Sequence, residues 1–297
     1  MFKIPPHQVA GHHASNGTLG PLVDDSGRFY KPLQGDERGS AEVTFYKQFS
    51  TNTEIPDRIR RFFPVFYGTQ VMKASDGFEH PHIMLQDLAS SRSNPTIMDI
   101  KIGSRTFGPE ASDDYIEKCL KRDRETTTLR LGFRISGLQV YVSEELGFYK
   151  PSRDLVLKSS IDDVKLLFRR FVSSNSSGSD PDYALASKVY GGPNGILAQL
   201  LELKTWFEDQ TIYHFCACSL LFMFEKTMAS KGETSNAQVK LIDFAHVTEG
   251  RGVIDHNFLG GLCSLIKFIS EVLKDPEDHK TPGGDTLEST ILVNNGH

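Results

Sequence analysis

The nonapeptide 95–103, P-T-I-M-D-I-K-I-G, constrains this chain more than any other stretch. A short apolar run opened by proline and closed by glycine reads as a strand. Side chains two apart on a strand share a face, so Asp99 and Lys101 point one way. Met98, Ile100 and Ile102 then point the other way, into a core. Pro95 fits the first residue of a strand, where a missing N–H costs least. Gly103 ends the face without a side chain, which would let a bulky ligand approach the backbone. In isolation, D-x-K is a half-buried ion pair worth little. With the right companions, it offers the carboxylate and ammonium that a magnesium nucleotide needs.

Those companions follow in order. Ser219-Leu220-Leu221 comes next, then Ile242-Asp243-Phe244 within V-K-L-I-D-F-A-H-V. R-F-Y-K-P-L-Q at 28–34 and D-H-N-F-L-G-G-L at 255–262 flank them. Each tripeptide alone is weak, whereas three motifs in sequence with matched flanks are specific. Together, headed by P-x-x-x-D-x-K-x-G, they resemble the signature of the inositol polyphosphate kinase family. The resemblance looks closest to its plant-type multikinases and runs from Val9 to about Lys274.

A length of 297 residues suits one two-lobed enzyme or two small domains. Net charge is −5, so any polyanion site has to be a local basic patch, and no direct nucleic-acid binding is expected. No run reaches the ~18 apolar residues of a membrane span. The start M-F-K-I-P-P-H lacks an apolar signal core and reads as uncleaved and intracellular. Four cysteines suit a reducing compartment. Cys216 and Cys218 form C-x-C in an apolar, strand-like run, far from Cys119 and Cys263, and read as buried thiols rather than zinc ligands.

The pattern predicts an α+β, two-lobed, kinase-like fold with an ATP cleft between the lobes. Residues 1–88 form a small β-rich lobe, 89–274 a larger α+β lobe, and 275–297 a mobile tail. In the first lobe, glycines at 11, 17 and 20 and the turn D-D-S-G-R-F at 24–29 lead to a strand R-F-Y-K-P-L. A helix from about Ser40 buries Ala41, Phe45 and Phe49, and strands follow at 65–71 and 82–88. A-S-S-R-S-N at 89–94 is the hinge. In the second lobe, Ser112 caps a helix whose first turn carries Asp113 and Asp114. A strand pair bent near Gly137 covers 131–141, and 173–181 is a flexible loop. Ile196, Leu200, Leu203 and Phe207 mark a helix, strands are expected at 212–224 and 238–247, and a last helix from Asp255 buries Phe258, Leu262, Leu265, Ile269 and Val272. No internal repeat is visible.

Phosphoryl transfer needs a phosphate-binding lysine, metal-binding acids and cations that grip the acceptor. Lys31 on the first-lobe strand and Glu42, eleven residues later on a helix, match the strand-lysine and helix-glutamate pairing of protein kinases. The chain has no G-x-G-x-x-G before Lys31, no P-loop, no H-R-D and no D-F-G, which excludes P-loop enzymes and ordinary protein kinases. Asp243 closes an apolar strand, where burial has to be offset by a metal or by donors. Lys118, Lys121 and Arg122 converge on one face of the helix after Ser112, with Ile116 and Leu120 on the opposite, buried side. Six basic residues stand against three acidic ones from Glu117 to Arg134.

The resemblance implies the roles. Lys31 meets the nucleotide phosphates, Lys101 is catalytic and touches substrate, and Asp243 holds the metal. Asp99 serves the nucleotide through its ribose or the metal shell. Ser219 reads as an aid to the metal site or as a core hydroxyl. The patch of Lys118, Lys121 and Arg122 joins Arg38 and His246 at the inositol phosphate, with His246 alternatively a polar rim residue. Backbone groups of Gln86 and Leu88 receive adenine, although the family often has an acidic residue in place of Gln86. The activity implied is transfer of the ATP γ-phosphate, with Mg2+, to hydroxyls of inositol trisphosphate and tetrakisphosphate. Nuclear and cytoplasmic residence, and protein partners in nuclear complexes, come with the resemblance alone. The alternative is a non-catalytic inositol phosphate sensor or transcriptional scaffold on the same fold.

Overall fold

Antiparallel pairing dominates the molecule, and the helices between the sheets decide where those sheets meet. The structure, a computed structural model, describes residues 1–11, 19–74, 76–175, 180–230 and 236–274. Gly17, part of the loop expected at 173–181, and the tail expected from 275 lie outside the described residues.

The first sheet comprises β1 (Leu22–Val23), β2 (Arg28–Pro32), β3 (Phe66–Lys73) and β4 (Glu79–Gln86), in the order β1-β2-β4-β3. Between β2 and β3 run the helices α1 (Glu37–Thr51) and α2 (Asp57–Arg60). Helix α1 begins before the expected Ser40, because the Asp36 carboxylate accepts from the Arg38 N–H at 3.1 Å and caps it. Its buried stripe is Glu42, Phe45, Tyr46 and Phe49, and the expected Ala41 is only half-buried.

The second sheet has the order β10-β9-β5-β6-β7. Its central strand is β5 (Pro95–Ile102), flanked by β6 (Phe133–Ser143) and then β7 (Gly147–Tyr149). The expected strand pair at 131–141 is this single strand β6. It bends where the register slips between Asp99 and Ile100, leaving Ser136 unpaired as a bulge between Ile135 and Gly137. Helices α3 (Asp113–Glu125) and α4 (Thr128–Leu131) join β5 to β6, and α5 (Arg153–Leu157), α6 (Ile161–Phe171), α7 (Ala186–Val189) and α8 (Ile196–Asp209) follow β7. The four apolar positions expected on α8 are all buried.

The expected strand at 212–224 is two strands, β8 (Tyr213–Phe215) and β9 (Ser219–Glu225). Cys216-Ala217-Cys218 is the kink between them, with Ala217 in the left-handed region at φ 54°. Helix α9 (Lys226–Ser230) leads on to the segment expected at 238–247, which breaks likewise into β10 (Gln238–Ile242) and β11 (Val247–Glu249), with Asp243 at φ 68°. Strands β8 and β11 pair as a third sheet. The last helix, α10 (His256–Lys274), buries all five expected residues and packs on α8 and α6.

The flank D-H-N-F-L-G-G-L is explained by packing. Asp255 Oδ1 caps α10 through the Phe258 N–H at 3.0 Å, while Oδ2 accepts from the Phe215 N–H at 2.6 Å. Asn257 bonds the Arg105 N–H and C=O, both at 3.0 Å. A Cβ at Gly103 would sit 2.4 Å from Asn257 Nδ2, so the open side of Gly103 receives a protein amide and not a ligand. Gly261 is equally required, since its Cβ would lie 2.4 Å from Gly132 O.

The first sheet ends at Gln86 and the second begins at Pro95, yet the hydrophobic core does not divide there. Phe45 of α1 packs with its ring centroid 4.5 Å from Phe244 and 5.4 Å from Tyr213, and one cluster runs from α1 and β4 through the second sheet to α10. The helix carrying Glu42 is therefore anchored in the larger lobe, while the strand carrying Lys31 belongs to the smaller one.

Candidate active site

A cleft of about 1030 Å³ separates the two larger sheets, and the side chains that meet in it come from both. Lys31 reaches down from β2 and donates to Glu42 Oε1 at 2.9 Å and to Asp243 Oδ1 at 3.0 Å. Glu42 Oε1 also accepts from the Phe244 N–H at 3.3 Å, which ties α1 to the turn after β10. The burial of Lys31 opposes its charge, but Asp243 and Glu42 outweigh that and raise its pKa. It is a cation at any physiological pH.

Asp243 is held by its neighbours in sequence. Phe244 is fully buried among Phe45, Phe63 and Tyr46, and the Leu241 N–H donates to Phe62 O at 2.7 Å. Between these anchors Asp243 adopts the left-handed conformation, unfavourable by roughly 1–2 kcal/mol for most residues and less for aspartate. The strain turns its carboxylate into the cleft, where the side chain is 47% exposed. Partial burial pushes its pKa up, but Lys31 and Lys101 more than reverse this and hold it below the usual carboxylate value.

Asp99 and Lys101 share the cleft face of β5, as their spacing requires. Lys101 Nζ donates to the C=O of Ala217 at 2.6 Å, so the left-handed kink after β8 supplies the acceptor that seats it. Asp99 is buried, and its carboxyl is pushed up to about 6, first by burial and then by the Asp243 charge; Lys101, Ser219 and Arg134 pull it part of the way back. The two aspartates, 144 positions apart, thus feel each other across one cleft. Ser219 lies beside Asp99, and Asp99 Oδ1 and Ser219 Oγ are both buried without a well-formed hydrogen bond.

Orphaned buried oxygens beside a carboxylate call for a hard cation or a donor. Among the described residues no group of three or more His, Cys, Asp or Glu could hold a metal ion. An octahedral cation that takes one or two carboxylates and completes its shell with phosphate oxygens and water needs no such group. The oxygen set of Asp243, Asp99 and Ser219 fits that chemistry, and the buried thiols, with Cys216 pushed up to about 12 by burial, do not.

At the hinge, the Gln86 N–H is already spent on Val65 O at 2.8 Å, and the Asp87 N–H on Gly27 O at 2.9 Å. The Gln86 backbone therefore has no free N–H for an adenine edge, and any main-chain contact from it has to use its C=O. Leu88 lines the cleft and makes no backbone hydrogen bond among the described residues.

At the opposite end, Arg122 lines the cleft but Lys118 and Lys121 do not. The expected convergence of all three fails because α3 turns Tyr115, Cys119 and Arg122 inward, and lysines at 118 and 121 fall off that stripe. Cys119 and Asp123 form the buried side, and Ile116 and Leu120 are half-buried. Arg38 lines the rim, paired to Asp36 at 2.7 Å. His246 is stacked on Tyr115, ring centroids 5.8 Å apart, and burial followed by the charges of Lys101 and Arg38 keeps it neutral at pH 7.

Sequence reasoning gave no particular place to Arg134. It pairs across the sheet with Lys101 and lines the cleft, and its Nη1 donates to Asp123 at 3.1 Å and to Thr128 Oγ1 at 2.7 Å. Asp123 also accepts from the Thr106 hydroxyl at 2.8 Å. The alternation of Phe133, Arg134 and Ile135 in an apolar strand was the available signal, since a buried arginine requires a partner.

Residues 82–270 match the sequence profile of the inositol polyphosphate kinase family. The inositol polyphosphate multikinase beta of Arabidopsis thaliana is 54% identical over 303 residues, covering 99% of both chains. The alpha form from the same plant is 57% identical over 283 residues, covering 94% of this chain and 98% of its own. A solved inositol phosphate multikinase is 52% identical, with a TM-score of 0.68, over 78% of this chain and 99% of that one. The multikinase of S. cerevisiae, solved with ADP and Mn2+, is 20% identical and shares the fold, with a TM-score of 0.64 over 83% of this chain and 99% of its own.

Proposed function

We propose a reaction for this chain, which belongs to the inositol polyphosphate kinase family: transfer of the ATP γ-phosphate to hydroxyls of inositol trisphosphate and tetrakisphosphate. The chain is an inositol polyphosphate multikinase by the company it keeps, and its cleft has the parts for that work. The observation that carries the reading is Lys31 bridging Glu42 and Asp243 at 2.9 and 3.0 Å, with Asp99 and Lys101 on the facing strand.

Phosphoryl transfer is governed by positioning and charge neutralisation, so each residue has a simple task. Lys31, fixed by Glu42, offsets phosphate charge from the smaller lobe. Asp243 would hold Mg2+, with Ser219 beside it, and Asp99 would serve the metal or the ribose. When bound there, the cation would supply positive charge to offset that of the transferring phosphoryl group. Lys101, seated on Ala217, faces the transferred group and the acceptor hydroxyl. Arg122, Arg38, His246 and Arg134 line the acceptor end, with Lys118 and Lys121 adding long-range attraction. The Gln86 C=O and the Leu88 N–H form the acceptor–donor pair for adenine. Residence in the nucleus and cytoplasm, and protein partners in nuclear complexes, belong to the same reading and rest on the resemblance; imaging a fluorescent fusion checks the first.

The test is incubation of purified protein with ATP, Mg2+ and a panel of inositol phosphates, with products separated by charge. Addition of phosphate to inositol trisphosphate and tetrakisphosphate is expected. Binding without ATP consumption would instead mark a non-catalytic sensor or scaffold.

A further inference from the structure

The first eleven residues carry a contact pattern that the reading above leaves unused. Lys3 exchanges both backbone hydrogen bonds with Val23 of the smaller lobe, at 2.9 and 2.8 Å, and its ammonium meets Asp25 at 2.6 Å. Four residues later the same segment lies on the larger lobe. Gln139 Nε2 donates to His7 Nδ1 at 3.1 Å, Lys150 Nζ donates to Pro6 O at 3.3 Å, and the His7 ring meets the edge of Phe148 at 5.5 Å. Pro5 and Pro6 fix φ at both positions, and a turn at Pro6 and His7 leads the segment from one lobe onto the other.

Where it crosses decides what it does. Cross-strand partners project to one face of a sheet. Gly137 pairs with Asp99 and Gln139 pairs with Ile97, so both belong to the face that carries Asp99. A Cβ on Gly137 would lie 2.1 Å from Val9 O and 2.6 Å from Val9 C. The backbone of Val9 therefore rests in the cleft against the strand position beside Asp99, and glycine is what lets it do so. Lys101 and Arg134 mark the acceptor end of this face; Ile97 and Gln139 lie on the other side of Asp99, toward the hinge. His7, Gln8, Val9 and Ala10 are half-buried there and line the cleft.

We propose that residues 3–11 form a third wall of the nucleotide end of the cleft and set its affinity for adenosine nucleotides, through the wedge of Val9 against Gly137. This rests on the kinase reading for the identity of the ligand. The wall ties the lobes at the hinge end and excludes water beside Asp99, so nucleotide meets a site already shaped on three sides. Val9 and His7 are positioning residues: their removal is felt by nucleotide and not by the inositol phosphate.

The test uses the full-length chain and reads ADP binding by calorimetry beside the KM for ATP and for inositol trisphosphate. Gly137→Ala pushes on the Val9 carbonyl, and His7→Ala removes the Gln139 and Phe148 contacts. Each is expected to weaken ADP binding and raise the KM for ATP about tenfold, with the KM for the inositol phosphate changed less than about twofold. Because both act by displacing one segment, the double variant is expected to lose little more than either single one. Full additivity would mean that Gly137→Ala acts on Asp99 directly, and it would overturn the proposal, as would unchanged or tightened ADP binding. If the wild type binds ADP but phosphorylates no inositol phosphate, the kinase reading fails, while the binding comparison still decides the role of the wall.

Discussion

The two ends of the cleft are built to different tolerances. At the nucleotide end, Lys31 holds Glu42 at 2.9 Å and Asp243 at 3.0 Å, and Phe244 anchors the turn in an aromatic core. At the acceptor end, Arg38 and Arg122 are exposed side chains on helices, and Lys118 and Lys121 stand outside the lining altogether. In the proposed reaction, rigid groups would act on what is constant, the triphosphate and its cation. Long exposed cations adapt to what varies, the arrangement of phosphates on a ring. A kinase that accepts more than one inositol phosphate needs that asymmetry, and Arg134, fixed by Asp123, is the exception that gives the loose end one rigid post.

Breaking the rigid end is expected to have the largest effect. Asp243→Asn removes a metal-binding charge at nearly constant volume and should lower kcat roughly a thousandfold or more while leaving the circular dichroism spectrum unchanged. Glu42→Gln leaves Lys31 in place but loosens it; kcat is expected to fall about ten- to a hundredfold, an effect typical of lost positioning contacts. A loss confined to KM for ATP would show that Glu42 only aids binding. The flexible end should respond more weakly and differently. Arg122→Ala is expected to raise the KM for inositol phosphate about tenfold, as for a lost charge-assisted bond, without a matching change for ATP. Lys118→Ala and Lys121→Ala should each cost less than about threefold, an effect that fades with added salt. If Lys121 equals Arg122, the inward stripe of α3 is wrongly drawn.

The smallest expected effect is on stability, and it separates the two aspartates. The folded-state pKa of Asp99 is raised to about 6, so its contribution is fully present below the unfolded value and is lost as pH rises through about 6. Asp243 is depressed, so its contribution has the opposite sign and is lost as pH falls. Metal-free Asp99→Asn is therefore expected to be more stable than wild type at pH 7–8, by about 3 kcal/mol from a shift of some two units, with the difference vanishing near pH 4. Chemical denaturation at the two pH values measures this, and a destabilised variant at pH 8 would contradict the assigned environment of Asp99.

Much of this was legible in the sequence, because periodicity and ordered motifs are local. The Asp99–Lys101 strand, the Ser112 cap and the buried stripes of α8 and α10 follow from spacing alone. Lys31, Glu42, Asp99, Lys101 and Asp243 were singled out in advance, and they do meet in one cleft. The failures share a cause. Ala217 and Asp243 interrupt runs that read as continuous strands, because left-handed backbone at a residue other than glycine leaves no mark in composition. Gly103 reads as an opening for a ligand but accommodates Asn257, while Gly137 lies at the expected bend and also admits Val9. Lys118 and Lys121 looked convergent with Arg122 because charge on a helix is visible, while the direction of the cleft is not.

On the proposed reading, Asp243, braced by Lys31 and Glu42 and facing Asp99, holds the divalent cation that accompanies the nucleotide. Crystals of the protein grown with ADP and Mn2+ test it through anomalous scattering. One manganese peak is expected within about 2.2 Å of an Asp243 carboxylate oxygen, absent from Asp243→Asn crystals grown alike. A peak away from Asp243, or one that survives the substitution, would contradict it.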